Sequence, residues 1–238
     1  MSKPSIWQRI LAYLESGSQL VLRSFEPREP TDSVTFSIAF IALAAKLAKA
    51  DGVVTRDEVQ IFRRIFDIPP EEEANAARVF NLCRQETTGY EAYARQLSNV
   101  LRGTPNGDTL REDVLDGLFH IAVADGEYHP AEDMFLKRVT DVFGLNEGVY
   151  LRLRARHVPE LRDPYSILGV APDVTLRDLR AVRKRFVRNN HPDQLVAKGL
   201  PREMIELANA RLAGFNEAYE EIEKIKSEER VGLGQGKT

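Results

Sequence analysis

Cysteine is almost absent from this chain of 238 residues, in which Cys83 is the only one. An intrachain disulfide is therefore excluded, and the cross-linked frameworks of small secreted domains are excluded with it. An apolar fraction of 43% can instead fill one large or two modest hydrophobic cores. We therefore expect a protein of a reducing compartment, in the cytoplasm.

Long apolar runs are also lacking. The most apolar stretch, Ile38–Ala45, is short and is followed by Lys46, whereas a helix that crosses a bilayer needs roughly 20 apolar residues. The stretch predicts a buried helix instead. A secretory signal is not expected, because Arg9 and Glu15 interrupt the apolar pattern of the amino terminus. Residues 6–25 are expected to pack on the main domain, with peripheral attachment to the inner face of the membrane as the alternative.

Charge of one sign does not dominate, since 33 Lys and Arg residues stand against 36 Asp and Glu residues, for a net charge of −3. A nucleic-acid-binding protein is more often basic overall, so no nucleic acid is expected as a partner. Catalytic motifs are lacking too, because the chain has no His-Glu-x-x-His and no Gly-x-Ser-x-Gly. We expect no enzymatic activity of the chain itself, and no cofactor other than the divalent cation considered below.

A strongly cationic segment at residues 175–190 stands out from this balanced background. Leu176, Leu179 and Val182 begin an apolar stripe at helical spacing, which predicts an amphipathic helix. The opposite side of that helix carries what we call the basic face, which consists of Arg177, Arg180, Lys184 and Arg188.

The cationic helix is followed by a turn and a second helix. Pro192 disfavours helical geometry at the residue before it, so His191 and Asp193 are expected to project from a turn. A second apolar stripe between Met204 and Ile222 predicts a helix over 202–226 that packs antiparallel on the first.

Local signals mark the ends of neighbouring elements. Thr175 is the expected N-cap of the cationic helix, with Asp178 three residues further on. A short helix at Pro164–Leu168, closed by Gly169, is expected to brace the pair. Residues 156–162 are expected to form a short hinge, because Pro159 discourages one continuous helix.

The tripeptide His191-Pro192-Asp193, together with the stretch Asp163–Val170, resembles the J-domain of the DnaJ family. The long loop 194–201 is similar to that of the DjlA-like subgroup. The resemblance implies that the chain docks onto a DnaK-type heat-shock ATPase and stimulates its ATP hydrolysis.

In such a complex the basic face attracts an acidic surface of the ATPase. Asp193 pairs with a basic group of the partner, Pro192 fixes the loop, and His191 orients it. Asn190 and Val182 stand where many J-domains carry aromatic residues, which puts affinity and partner choice in doubt.

The second informative feature is an internal repeat. Ala48–Gly52 and the following Glu58 recur 74 positions later as Ala122–Gly126 and Glu132. Each copy lies between a hydrophobic segment and an amphipathic one, which predicts two related helical hairpins about a pseudo-twofold axis. An EF-hand is rejected, because the positions of the early oxygen ligands are apolar or basic in both copies.

Two interpretations of the repeat stay open. In the first, its glycines end helices and its glutamates cap the helices that follow. In the second, the acidic residues converge at the symmetric centre and hold a divalent cation. The pattern resembles TerB-like tellurite-resistance domains, and the resemblance implies such an acidic metal site, formed by Asp51, Glu58, Asp125 and Glu132.

The sequence therefore predicts an all-α protein in four parts. These are an amino-terminal helix and linker (1–33), a TerB-like helical bundle (34–157), a J-domain helical hairpin (158–226) and a flexible tail (227–238). We expect a J-domain co-chaperone whose TerB-like domain recruits a client, forms a homodimer or sets location. The alternative function is a metal-binding stress-response sensor that uses the acidic repeat.

Overall fold

The computed structural model describes residues 5–15, 34–49, 60, 63, 65–66, 68–85, 89–102, 104, 107–189 and 202–235. Within these residues the secondary structure consists of α-helices and short 3-10 helices, without a β-strand, so the all-α prediction is confirmed. The α-helices are α1 Ile6–Glu15, α2 Val34–Leu47, α3 Glu73–Gln85, α4 Tyr90–Arg102, α5 Gly107–Ala122, α6 Pro130–Phe143, α7 Glu147–His157, α8 Pro164–Leu168, α9 Leu176–Asn189 and α10 Arg202–Gln235. The 3-10 helices span Pro70–Glu72 and Pro159–Leu161.

Helices α1–α7 form what we call the amino-terminal bundle. Helix α2 lies at its centre and contacts α1, α3, α4 and α5. Phe36, Phe40 and Leu47 of α2 are fully buried, and burial of such a side chain stabilises the fold by about 1.5–3 kcal/mol. The prediction of a buried helix at Ile38–Ala45 is confirmed.

The amino-terminal helix α1 belongs to the same core. Its apolar side chains Trp7, Ile10 and Leu11 are buried, and the Trp7 ring meets the Phe66 ring edge-on. The apolar side of α1 thus packs on the bundle, as expected for residues 6–15. No described helix is both long enough and apolar enough to cross a membrane.

Local signals in the sequence set the ends of the later helices. Asn146 begins α7 by accepting a hydrogen bond from the Val149 amide at 3.0 Å. Thr175 precedes α9 and accepts a hydrogen bond from the Asp178 amide at 3.2 Å, as predicted. Helix α8 spans Pro164–Leu168 and ends at Gly169, also as predicted.

Helices α8, α9 and α10 form what we call the carboxyl-terminal hairpin. Its core contains Ile167, Leu179 and Tyr219, among other side chains, and Phe186 of α9 stacks on Phe215 of α10. The predicted packing of the two apolar stripes is therefore observed. One member of the second stripe differs, because Leu207 joins the core of the amino-terminal bundle.

Two boundaries differ from the sequence-based expectation. Residues 156–162 were expected to form a hinge, but Arg156 and His157 belong to α7, and the helix ends only before Val158. Helix α10 continues past residue 226 to Gln235, through part of the expected tail. Its extension contains no proline, and Lys226 pairs with Glu229 at 3.3 Å within one turn, which favours helix.

Candidate partner-binding site and its junction with the bundle

The basic face lies on the solvent side of α9. All four of its side chains are exposed, and their spacing places them along one side of the helix. The opposite side of α9 packs into the hairpin core through Leu179, which is fully buried. The surface of α9 therefore offers a row of positive charge to a partner.

The cations of α9 differ in their internal contacts. Arg180 Nε lies 3.6 Å from Glu223 Oε1 of α10, and the neighbouring Arg183 guanidinium lies 4.6 Å from the centre of the Tyr219 ring. Arg177 and Lys184 form no ion pair with any described residue. These two side chains are consequently the ones most available to a binding partner.

The tripeptide His191-Pro192-Asp193 lies outside the described residues, in the segment between the end of α9 at Asn189 and the start of α10 at Arg202. Its predicted roles stay predictions. The two helices that flank it in the sequence are both described, and α9 ends at Asn189, one residue before the end of the predicted segment 175–190.

The second copy of the repeat is described, and its acidic residues serve the backbone. Asp125 Oδ1 accepts a hydrogen bond from the Glu127 amide at 3.0 Å, and Glu132 Oε2 accepts one from the His129 amide at 2.9 Å. Gly126 has a φ of 89°, in the left-handed region, but it lies in the turn after α5, which ends at Ala122, and its amide donates a hydrogen bond to the Val123 carbonyl at 3.1 Å. The glutamate of this copy therefore fits the capping interpretation, whereas its glycine closes a turn and not the helix.

The first copy, with Asp51 and Glu58, lies outside the described residues, so the pseudo-twofold relation and the shared metal site stay predictions. Within the described ranges, no three His, Cys, Asp or Glu side chains are arranged to hold a metal ion together.

A group of charged side chains that the sequence-based predictions did not include lies where the bundle meets α10, and three of them, Asp113, Asp116 and Arg211, are buried. Arg211 Nε of α10 lies 3.0 Å from Asp113 Oδ1 of α5, and both side chains are buried. One helical turn further along α5, Asp116 Oδ1 lies 3.0 Å from Arg156 Nη1 and 2.7 Å from His157 Nε2, both of α7. Two carboxylates thus face two guanidinium groups and an imidazole.

Burial and charge act in opposite directions on the two carboxylates. Burial raises the pKa of Asp113 to about 7, although Arg211 opposes this shift. Burial also favours the neutral form of Asp116, but Arg156 and His157 outweigh it and lower the pKa of Asp116 to about 2. Asp116 is therefore ionised at neutral pH, and its negative charge faces Arg156 and His157.

A signal for this group was present in the sequence. Asp116 interrupts the otherwise apolar run Val114–Phe119 of α5, and Arg211 interrupts the apolar stripe of α10, whereas Asp113 follows two other charged residues and gives no such signal. Charges at core positions are rarely fully buried unless they are paired, so each predicts an opposite charge nearby. The sequence alone does not say which charges meet, because the partners are distant along the chain.

Comparison with known proteins agrees with this architecture. The profile of the family described as "Tellurite resistance protein TerB" matches residues 37–155, which is half of the chain and most of the amino-terminal bundle. The chain belongs to the TerB family. We therefore call the matched region the TerB domain from here on.

Curated relatives extend the likeness beyond the TerB domain. The chain is 26% identical over 229 residues to a protein of Aliivibrio fischeri named "Co-chaperone protein DjlA", covering 80% of this chain and 78% of the relative. Proteins of the same name from Vibrio cholerae and Escherichia coli K12 are 27% and 26% identical, covering 80% and 76% of this chain and 78% and 75% of theirs. No solved structure matches. The chain is thus DjlA-like, as the sequence predicted.

Proposed function

We propose that this protein is a DnaJ-type co-chaperone that stimulates ATP hydrolysis by a DnaK-type heat-shock chaperone. The observation that carries the proposal is a His-Pro-Asp tripeptide that directly follows a helix with an exposed basic face, in a DjlA-like chain. The names of the relatives support the co-chaperone class, and the predicted role of the tripeptide adds the ATPase as partner.

In the proposed complex, the basic face draws an acidic surface of the chaperone toward α9. Attraction between exposed charges mainly speeds encounter, and salt weakens it beyond a Debye length of roughly 10 Å. Asp193 then pairs with a cation of the partner, and removal of one member of such a buried pair costs about 2–5 kcal/mol. Binding that favours the hydrolysis-competent state of the chaperone raises ATP turnover. The chain itself hydrolyses nothing.

The TerB domain then delivers a client, joins two copies of the chain or sets location in this proposal. Each of these roles, like the cytoplasmic location and the membrane contact, stays a prediction.

The test is a single-turnover ATP hydrolysis assay with a purified DnaK-type chaperone. The wild-type chain should raise the hydrolysis rate, and His191→Gln should abolish the increase. The matched control is His129→Gln in the TerB domain, where the backbone amide of residue 129 makes the capping bond to Glu132. The control should stimulate as the wild type does. A wild-type chain that leaves the rate unchanged would falsify the proposal.

A further inference from the structure

The junction between the TerB domain and α10 is charged and partly buried, and it borders a cavity of about 550 Å³ lined by Asp116, Arg156 and Gly214, among other residues. Asp113 is fully buried and Arg211 is 5% exposed, so their contact lies away from water. The Arg156 guanidinium, held by Asp116, also donates a hydrogen bond to the backbone carbonyl of Ala210 in α10. Carboxylates of α5 thus hold α10 both directly and through α7. We call Asp113, Asp116, Arg156, His157 and Arg211 the junction charges.

Two glycines allow the helices at this junction to come close together. A Cβ atom at Gly117 of α5 would lie 2.5 Å from Leu207 Cδ2, and a Cβ atom at Gly214 of α10 would lie 2.5 Å from Arg156 Nε. Both distances are shorter than the separation that a Cβ atom keeps from non-bonded heavy atoms in proteins. Side chains at these positions would displace either Leu207 or the guanidinium that joins α7 to α10.

The junction also reaches α9. The Arg211 guanidinium that faces Asp113 lies 5.7 Å from the centre of the Phe186 ring, and Phe186 stacks on Phe215. Phe186 stands five positions before His191 in the sequence, and Arg211 stands in the first part of the helix that follows the tripeptide segment. Arg211, a residue of α10, therefore lies against Phe186 of α9 and Asp113 of α5, and it links both helices of the hairpin to the TerB domain.

Buried charges favour one arrangement of neighbouring elements over others. If α10 shifted along α5 while it stayed packed, Arg211 would lose its contact with Asp113 inside the protein, and Arg156 would lose its bond to the Ala210 carbonyl. A buried charge or polar group without a partner is strongly unfavourable, so such contacts select a single relative orientation even where they add little net stability.

From these contacts we infer that Asp113, Asp116 and Arg211 are positioning residues, which fix the carboxyl-terminal hairpin on the TerB domain and thereby set the direction in which α9 presents its basic face. The inference deepens the proposed function and rests on it for its functional consequence. The fixed orientation itself is a property of the chain alone.

The orientation is tested by a distance measurement between the TerB domain and the carboxyl-terminal hairpin. Spin labels are attached at Met134→Cys on α6 and Arg185→Cys on α9, two exposed positions outside the junction and outside the basic face. Cys83 is 1% exposed and is not expected to take up label. Double electron–electron resonance should give a single narrow distribution of distances between the two labels in the otherwise wild-type chain. It should give a broader or displaced distribution in Asp116→Asn and in Arg211→Met.

The matched control is Glu112→Gln. Glu112 neighbours Asp113 and pairs with Arg152 at 2.7 Å, but this contact lies between α5 and α7, inside the TerB domain. The control should keep the narrow distance. A broad distribution in the wild type, or an unchanged one in both junction variants, overturns the inference.

The functional consequence is measured in the same variants with the ATPase assay. The maximal stimulation at saturating chain should fall at least about fivefold in Asp116→Asn and Arg211→Met, the lower end of typical coupling between sites. The half-saturating concentration should change little, because the basic face is intact. Changed distances with unchanged maximal stimulation overturn the positioning role. A wild-type chain without stimulation instead contradicts the proposed function, while the distances still decide the fixed orientation.

Hydrogen exchange on the unmodified chain provides a measurement that requires no variant to fold. Amides of residues 205–214 in the first part of α10 should be protected as strongly as those of α5, because the junction holds them to the TerB domain. Rapid exchange of these amides, with α5 protected, rules the inference out.

Discussion

Phe186 of α9 and Phe215 of α10 stack face to face, with ring centres 3.7 Å apart and ring planes inclined by 5°. Phe215 is buried, and together with Leu179, Ala218 and Ile222 it forms the core of the carboxyl-terminal hairpin. The hairpin is small, so one such pair carries a large share of its apolar contact.

We expect Phe215→Ala to destabilise the hairpin by about 3–5 kcal/mol, the usual cost of removing a buried aromatic ring from a core. Thermal or urea unfolding followed by circular dichroism measures the loss. Arg185→Ala, an exposed change on α9, serves as the control and should leave the unfolding midpoint unchanged. Equal unfolding curves for wild type and Phe215→Ala would contradict the hairpin core described here.

The unequal contacts of the basic face lead to the second prediction. Arg177 and Lys184 have no ion pair among the described residues, whereas Arg180 faces Glu223 at 3.6 Å. Arg177→Ala plus Lys184→Ala should slow association with the chaperone on the order of tenfold at low salt, and the loss should shrink as salt is added. Surface plasmon resonance at two ionic strengths measures this.

Glu223→Gln is the informative companion variant. It removes the negative charge beside Arg180 and keeps an oxygen that can accept the hydrogen bond which Tyr219 donates at 2.8 Å. Association should therefore be as fast as in the wild type or faster. Slower association of Glu223→Gln would count against the basic face as the attracting surface.

The sequence predicted the helices of the hairpin better than it predicted how the hairpin packs on the TerB domain. Helices α8 and α9 were located closely, because Pro164, Gly169 and Thr175 give local signals that need no tertiary context. The course of α10 was harder to predict. Its apolar stripe was assigned to α9 alone, although Leu207 packs into the TerB domain.

The junction charges were missed for a related physical reason. Periodicity identifies which face of a helix is buried, but it does not identify the element that buries it. Asp116 and His157 lie 41 residues apart in the chain and 2.7 Å apart in space. Pairing over such a separation depends on how α5, α7 and α10 pack, and no local pattern encodes that.

Acid unfolding gives the third prediction. The pKa of Asp116 is about 2 in the folded chain against an ordinary value of 3.8, so its ionised form stabilises the fold. That contribution, about 2 kcal/mol, is present above pH 4 and is lost as the pH falls through 2. The difference in unfolding free energy between wild type and Asp116→Asn should therefore shrink between pH 4 and pH 2 in denaturant titrations.

Asp113 provides a control of opposite sign. Burial raises its pKa to about 7, so its effect on stability is most favourable below pH 3.8 and is lost as the pH rises through 7. Asp113→Asn should thus become more stable relative to wild type between pH 4 and pH 8. The charged and titratable groups that face these two carboxylates are Arg156, Arg211 and His157, with Glu112 nearby. Parallel pH profiles for the two variants would contradict the charge states assigned to Asp113 and Asp116.

The fourth prediction separates the two interpretations of the acidic repeat at Glu132. If its carboxylate only caps α6 by accepting the hydrogen bond from the His129 amide, Glu132→Gln keeps the acceptor and the stability, whereas Glu132→Ala costs about 0.5–2 kcal/mol. If the carboxylate also helps to hold a cation with Asp51, Glu58 and Asp125, loss of its charge weakens binding even in Glu132→Gln. We expect Glu132→Gln to melt as the wild type does, with or without a chelator. Calorimetry with Ca²⁺, Mg²⁺ and Mn²⁺ completes the comparison, because saturable binding by the wild type that disappears in Asp51→Asn plus Asp125→Asn would decide for the metal site.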